Sequence, residues 1–315
     1  YRVIAVLFIL LCHLVQENKN TYIQMTAQMF NIGVNMFIFI SGFCFGLQGE
    51  LSEWKKWYKK RACRIYIPYE MFLLVLMTVY LLTGQTFNMK NWLTCILGVQ
   101  GANVGVLGAD HTWFITAILV CYLFVPVISK LVLCVETKKI EIVMLLVPVL
   151  LSCIPMQSIY TIGVQVCFFV IAYVLGWKYK RGYRFCSHKL VIYIGIIPIA
   201  FAIRMLGRVF LDHTRIYNDL IVSYTQYAAA FALLSVFGIG LANAKENCWV
   251  KWIGKISFEI YLYHYMLIVG PISLMAVTGS WTINSILVVI VTIIIAMVMN
   301  RISQVIVKRG IPVIH

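Results

Sequence analysis

The sequence predicts an all-α, polytopic integral membrane protein of about ten transmembrane helices with both termini cytoplasmic. Three observations carry that prediction. First, 62% of the 315 residues are hydrophobic and only 12% charged, with a mean hydropathy of +0.90. A soluble domain holds about 45–50% apolar and about 25% charged residues, so a cytosolic enzyme, a disordered chain and a secreted disulfide scaffold are excluded. Second, the apolar runs are continuous and about 17–25 residues long, which fits helices crossing lipid and not the alternating strands of a barrel. Third, the net charge of +15 is unevenly placed. All but five of the 26 Lys and Arg fall at alternate boundaries between the runs. Short loops rich in Lys and Arg stay on the cytoplasmic side. The basic excess is therefore a topology signal and predicts no nucleic-acid partner. The bilayer is the first partner expected.

The first run, residues 2–16, carries Arg2 and His13. Eleven steps of about 1.5 Å put them about 16 Å apart along a helix, and eleven steps of 100° return them to nearly one face. Arg2 then sits at the cytoplasmic mouth and His13 about half-way across. A neutral imidazole at that depth can act as a general base. It can equally be a core histidine satisfied by a neighbouring helix, with Arg2 snorkelling to the interface. The chain opens at Tyr1 without a methionine, as expected of a chain whose first few residues are missing. The second run, 29–47, is followed by a basic loop, 48–64, with Lys55, Lys56, Lys59, Lys60, Arg61 and Arg64. The third run covers 64–83. Arg61 and Arg64 share a face at i, i+3 and suit phosphate, although cytoplasmic anchoring explains them as well. Glu70 lies inside this run and needs a partner, for which the two arginines are the nearest basic residues in sequence. Trp92 to Val99 is too short to cross and is expected at the interface.

The fourth run, 112–133, opens outside with Asp110-His111-Thr112-Trp113-Phe114, read either as an acceptor-side group or as a loop end with a belt tryptophan. The Gly101 to Gly108 stretch before it lacks a following Lys and faces outside, so it is no phosphate cradle. The fifth run, 139–155, is short and holds Pro148; the sixth is 160–177. The seventh, 189–206, places Arg204 and Arg208 one turn apart at its external end, as anion ligands or as a basic cap. The eighth is 220–243. The ninth, 256–278, holds Glu259 and His264 on roughly opposite faces, with His264 about 12 Å in from the cytoplasm. The tenth is 281–300. Ionisable side chains inside such runs are costly and are functional candidates by default. The ten cysteines, Cys186 among them, are scattered without CxxC or zinc spacing, so neither a disulfide framework nor a metal site is expected. No repeat and no soluble insertion appears, and residues 1–315 are read as one membrane domain.

The order of five short motifs is more specific than any one of them. Arg2-x10-His13 is followed by Phe37-Ile-Phe-Ile-Ser41-Gly42-Phe43, then Arg61-x-x-Arg64-Ile-Tyr-x-Pro68, His111-x-Trp113-Phe114, and Ser257-x-x-x-Tyr261-Leu-x-His264. Over its whole length the chain resembles the acyltransferase-3 family, integral membrane O-acyltransferases of surface polysaccharides. The ten-helix count agrees with the family core. The resemblance implies transfer of an acyl group, usually acetyl, from cytoplasmic acetyl-CoA to a hydroxyl of an extracytoplasmic carbohydrate or other alcohol. Acetyl-CoA would serve as acyl-donor co-substrate, with no metal, in a bacterial cytoplasmic membrane. It further implies that Arg61 and Arg64 hold the CoA phosphates and that Arg2 lines the same entrance. His13 would deprotonate the acceptor hydroxyl or otherwise assist transfer. His111, Trp113, Arg204 and His264 would bind substrate. No esterase-type second domain is expected after the tenth run. The competing class is a transporter, of a small substrate such as serine or of polysaccharide, since similar membrane domains are linked to both. A non-catalytic envelope subunit is the third reading. The arginine pair discriminates, because a serine carrier needs it only for topology.

Overall fold

Each of the ten apolar runs seeds a helix in the computed structural model, which describes residues 1–49, 53–101, 104–184, 187–241 and 247–310. Cys186, Lys245 and part of the Gly101–Gly108 stretch lie outside the described residues. In chain order the helices are α1 (Arg2–Gln16), α2 (Thr21–Phe30), α3 (Gly33–Gln48), α4 (Trp54–Thr83), α5 (Met89–Ile96), α6 (Trp113–Cys134), α7 (Thr137–Leu151), α8 (Gln157–Lys180), α9 (Leu190–Leu211), α10 (Val222–Gly240), α11 (Cys248–Ile268) and α12 (Trp281–Gly310). No strand occurs among the described residues. Six helical segments among them are long and apolar enough to cross a membrane: Trp54–Thr83, Asp110–Cys134, Gln157–Lys180, Leu190–Leu211, Ile216–Gly240 and Trp281–Lys308. Helices α1 and α3 are apolar but shorter.

Local chemistry explains where the helices depart from the apolar runs. Helix α2 has no counterpart among them. It forms because Asn20 Oδ1 accepts from the amides of Tyr22 at 2.9 Å and Ile23 at 3.4 Å, which caps a new helix after α1. Helix α4 begins ten residues before its apolar run, at Trp54, so its first turns are the basic loop itself. Helix α11 stops at Ile268 and not at 278. Gly270 and Pro271 follow, and a proline has no amide to continue the ladder. The turn beyond is held by Asn284, whose Nδ2 donates to the carbonyls of Met275 at 2.6 Å and Thr278 at 2.9 Å. A π turn, Ile216–Ile221, leads into α10.

The chain divides into two compact units. The first comprises Tyr1–Phe8, Met29–Ser52 and Ala117–Glu246. Its tightest pairing is α3 on α8, and α10 packs on α9 and α3. Gly42, Gly46 and Gly176 permit the first pairing: a Cβ on Gly42 would stand 2.5 Å from the Phe169 carbonyl oxygen, and one on Gly46 would stand 2.7 Å from the Trp177 amide nitrogen. Small residues at four-residue spacing let membrane helices approach backbone to backbone. The second unit comprises Ile9–Gln28, Glu53–Thr116 and Asn247–His315, with α11 packed on α12 and both touching α4.

Candidate functional site

The second unit gathers three of the ionisable residues that the sequence strings far apart. His13 is in the last turn of α1, His111 in a 3-10 turn (Asp110–Thr112) ahead of α6, and His264 near the end of α11. Their rings form one group: centroids lie 5.3 Å apart for His13 and His264, and 5.1 Å for His111 and His264. Tyr265 closes the group, 4.8 Å from the His13 ring and 5.0 Å from the His111 ring.

Each ring is held by identifiable contacts. Trp281 Nε1 donates to the Leu14 carbonyl at 3.0 Å and ties the end of α1, one residue beyond His13, to the start of α12. The His111 turn hangs on a buried polar network. Gln100 Nε2 reaches the Thr112 carbonyl at 2.8 Å and the Tyr69 hydroxyl at 2.8 Å, while Tyr69 donates to the Cys95 carbonyl at 2.9 Å. Tyr261 donates to the His111 carbonyl at 2.6 Å and binds the turn directly to α11. Buried hydrogen bonds of this kind fix the local backbone, although Gln100 Oε1 itself is buried without a partner among the described residues.

The ring nitrogens differ in what they can do. His264 Nδ1 lies 2.7 Å from the Tyr261 carbonyl and 3.2 Å from that of Ile260. Carbonyl oxygens only accept, so the proton is on Nδ1 and the neutral ring keeps its lone pair on Nε2. His13 Nδ1 faces Gln16 Oε1 at 3.3 Å, which assigns the same tautomer and leaves His13 Nε2 as its acceptor. His264 Nε2 is buried without a hydrogen-bond partner among the described residues, and both ring nitrogens of His111 are buried without a well-aligned one, beside the main chain of Leu262 and Tyr261. Among the described residues, no group of three His, Cys, Asp or Glu side chains is arranged to hold a metal ion.

The other expected residues do not join this group. Arg61 and Arg64 lie on the first turns of α4, Arg61 over the Trp57 ring at 5.8 Å and Arg64 exposed. Glu70 makes no ion pair with either, because it stands about one and a half to two and a half turns further along the same helix. Trp113 begins α6, half-buried, two residues past His111. Arg2 and Arg204 belong to the first unit: Arg2 is exposed at the start of α1, and Arg204 is buried in α9. Glu259 turns away from His264, and its Oε1 accepts from Asn300 Nδ2 at 2.9 Å and Ser303 Oγ at 3.3 Å.

Several residues escaped the sequence reading. Tyr265, Tyr69 and Gln100 look like ordinary apolar-helix and loop residues, and only their partners reveal them. Asp219 of the first unit is also new. It is 1% exposed in the π turn, and it accepts from Gln157 Nε2 at 3.1 Å and pairs with Arg215 Nε at 3.4 Å. A carboxylate next to an Arg four residues earlier was the available signal.

Comparison with known families places this geometry. A family model described as an acyltransferase domain, acyltransferase-3, matches residues 1–301. No curated protein and no solved structure matches the chain. With six helices fit to cross a bilayer and a match over nearly its whole length, the chain belongs to the acyltransferase-3 family and is a multi-pass membrane acyltransferase.

Proposed function

We propose that the protein moves an acyl group, usually acetyl in this family, from cytoplasmic acyl-CoA to a hydroxyl of an extracytoplasmic glycan or other alcohol. The observation that carries this reading is the convergence of His13 with His111 and His264 inside one unit. Acyl transfer to an alcohol needs a base where donor and acceptor meet. His13 Nε2 is the shuttle: it takes up the proton that the hydroxyl loses and returns it to the departing CoA sulfur. Arg61 and Arg64, on the basic opening of α4, hold the CoA phosphates through charge-assisted hydrogen bonds. Arg2 lines the donor entrance, and Trp113 and Arg204 serve the acceptor.

The membrane reading that accompanies this function has ten crossings, with α1, α3, α7 and α11 joining the six longer segments, in a single domain of a bacterial cytoplasmic membrane. Both termini are cytoplasmic. The loop charges support it, since Lys and Arg other than Lys19, Lys90, Arg204, Arg208 and Arg215 then all lie inside. The test is acetyl-CoA binding and CoA release by the purified protein in detergent. Wild type should bind and release; His13→Ala should bind and not release; Arg64→Ala should bind about 10–100-fold more weakly, the worth of one hydrogen bond to a charged group. Failure of wild type to bind any of acetyl-, propionyl- or succinyl-CoA would overturn the proposal and direct attention to uptake of labelled serine by proteoliposomes.

A further inference from the structure

His264 and His111 present an unusual pair of unmet needs. His264 is 1% exposed and His111 5% exposed. His264 Nε2 is an acceptor with no donor among the described residues, because its proton is committed on Nδ1 to main-chain carbonyls. His111 has no well-aligned partner at either nitrogen, only the adjacent main chain of Leu262 and Tyr261, and a neutral imidazole always carries one N–H. The group therefore holds a lone pair that lacks a donor next to an N–H that lacks a well-aligned acceptor. Leaving such groups unpaired in an apolar interior is costly. A hydroxyl answers both needs at once: its oxygen accepts from His111 and its proton points at His264 Nε2.

The geometry points to a hydroxyl subsite between His111 and His264, with His264 as the base that first receives the acceptor's proton and His13 as the next station. This assignment rests on the acyltransferase reading above and adds to it the residue that touches the alcohol. The main-chain carbonyls fix the His264 ring and its tautomer, as a base that must present Nε2 requires. His13, half-exposed and held only by the longer contact to Gln16, is the freer ring.

The step balances as follows. The alcohol oxygen forms a bond to the thioester carbonyl carbon while its proton moves to His264 Nε2. The tetrahedral intermediate collapses, the carbon–sulfur bond breaks, and CoA leaves as thiolate. The proton passes from His264 Nε2 to His13 Nε2, across rings 5.3 Å apart, and on to the sulfur. The products are an ester and CoA thiol, and all three imidazoles end neutral.

The test exploits a nucleophile that needs no base. Wild type, His264→Asn and His264→Gln are assayed in detergent for acetyl-CoA binding, for CoA release with water as the hydroxyl, and for acetylhydroxamate formation with hydroxylamine. Asn at position 264 can still donate an amide N–H to the Tyr261 carbonyl, yet it has no Nε2 lone pair. Loss of a general base lowers rates by about 10²–10⁴-fold. That loss is expected for CoA release with water, while acetyl-CoA affinity and hydroxamate formation stay within about 3-fold of wild type. Equal loss of both transfers in both variants would make His264 structural and overturn the relay. Undiminished transfer to water would overturn it as well. A wild type that neither binds nor turns over acyl-CoA would instead sink the acyltransferase reading.

Discussion

Replacing Gly46 with alanine should cost this protein more stability than any other single methyl group in the first unit. A Cβ on Gly42 would meet the Phe169 carbonyl oxygen at 2.5 Å, about 0.9 Å inside ordinary van der Waals contact. At Gly46 the obstruction is worse, with the Tyr173 carbonyl, the Trp177 amide and the Gly176 Cα all in the way. These atoms are backbone, so no rotamer change relieves the clash; α3 must move off α8. Overpacking of this kind costs about 1–3 kcal/mol, against which the better helix propensity of Ala returns about 0.5–1 kcal/mol. Gly42→Ala should therefore lose about 1–2 kcal/mol, and Gly46→Ala should lose more than Gly42→Ala. Gly195, in α9 with open space within 4 Å of where a methyl would stand, is the control and should be neutral or slightly stabilised as Ala. Thermal unfolding in detergent can be followed with a thiol-reactive dye, since the Cys12, Cys95, Cys121 and Cys167 thiols are buried until the fold opens. If Gly46→Ala unfolds at the wild-type temperature alongside Gly195→Ala, the backbone contact between α3 and α8 is not what holds them.

Two further outcomes follow from features of the second unit and of the loops. Trp281→Phe removes the hydrogen bond to the Leu14 carbonyl, so stability should fall by about 1 kcal/mol and CoA release should fall with it as His13 loses its anchor; unchanged release would detach Trp281 from the site. With cytoplasmic termini, exposed Cys153 should react with a membrane-impermeant maleimide on intact cells, while Cys248 should react only after permeabilisation, each tested as the sole cysteine. The reverse pattern would invert the orientation.

The class of the protein and the place of its long apolar helices were legible, though not that of α2, because lipid imposes length and polarity on a span, and both can be counted along a chain. Arithmetic within one helix also worked. The near-opposition of Glu259 and His264 on α11 reappears as two destinations, Glu259 on α12 and His264 beside His13. Which helices adjoin was not legible. A helix apolar all round, such as α3, marks no face for its neighbour, so nothing in the sequence says that His111 and His264 meet His13. His111 therefore reads only as an acceptor-side group and His264 only as a substrate-binding residue. The early end of α11 was available from Gly270-Pro271, but the apolar residues beyond them extended the expected span to 278. The spacing of Gly42 and Gly46 was likewise present and points to close helix packing.

The hydrogen bond from Tyr261 to the His111 carbonyl joins residues 150 positions apart, and that from Trp281 to Leu14 spans 267. Taken as an order of synthesis, these separations mean that His13 enters the membrane long before the residues that orient it exist. Through most of translation, His111 has neither α11 to grip its turn nor His264 beside it. A ribosome that stops before α11 leaves a chain with most of its apolar helices and with His13 and His111 but not His264. The three-histidine group is thus completed only when the last helices of the chain are made.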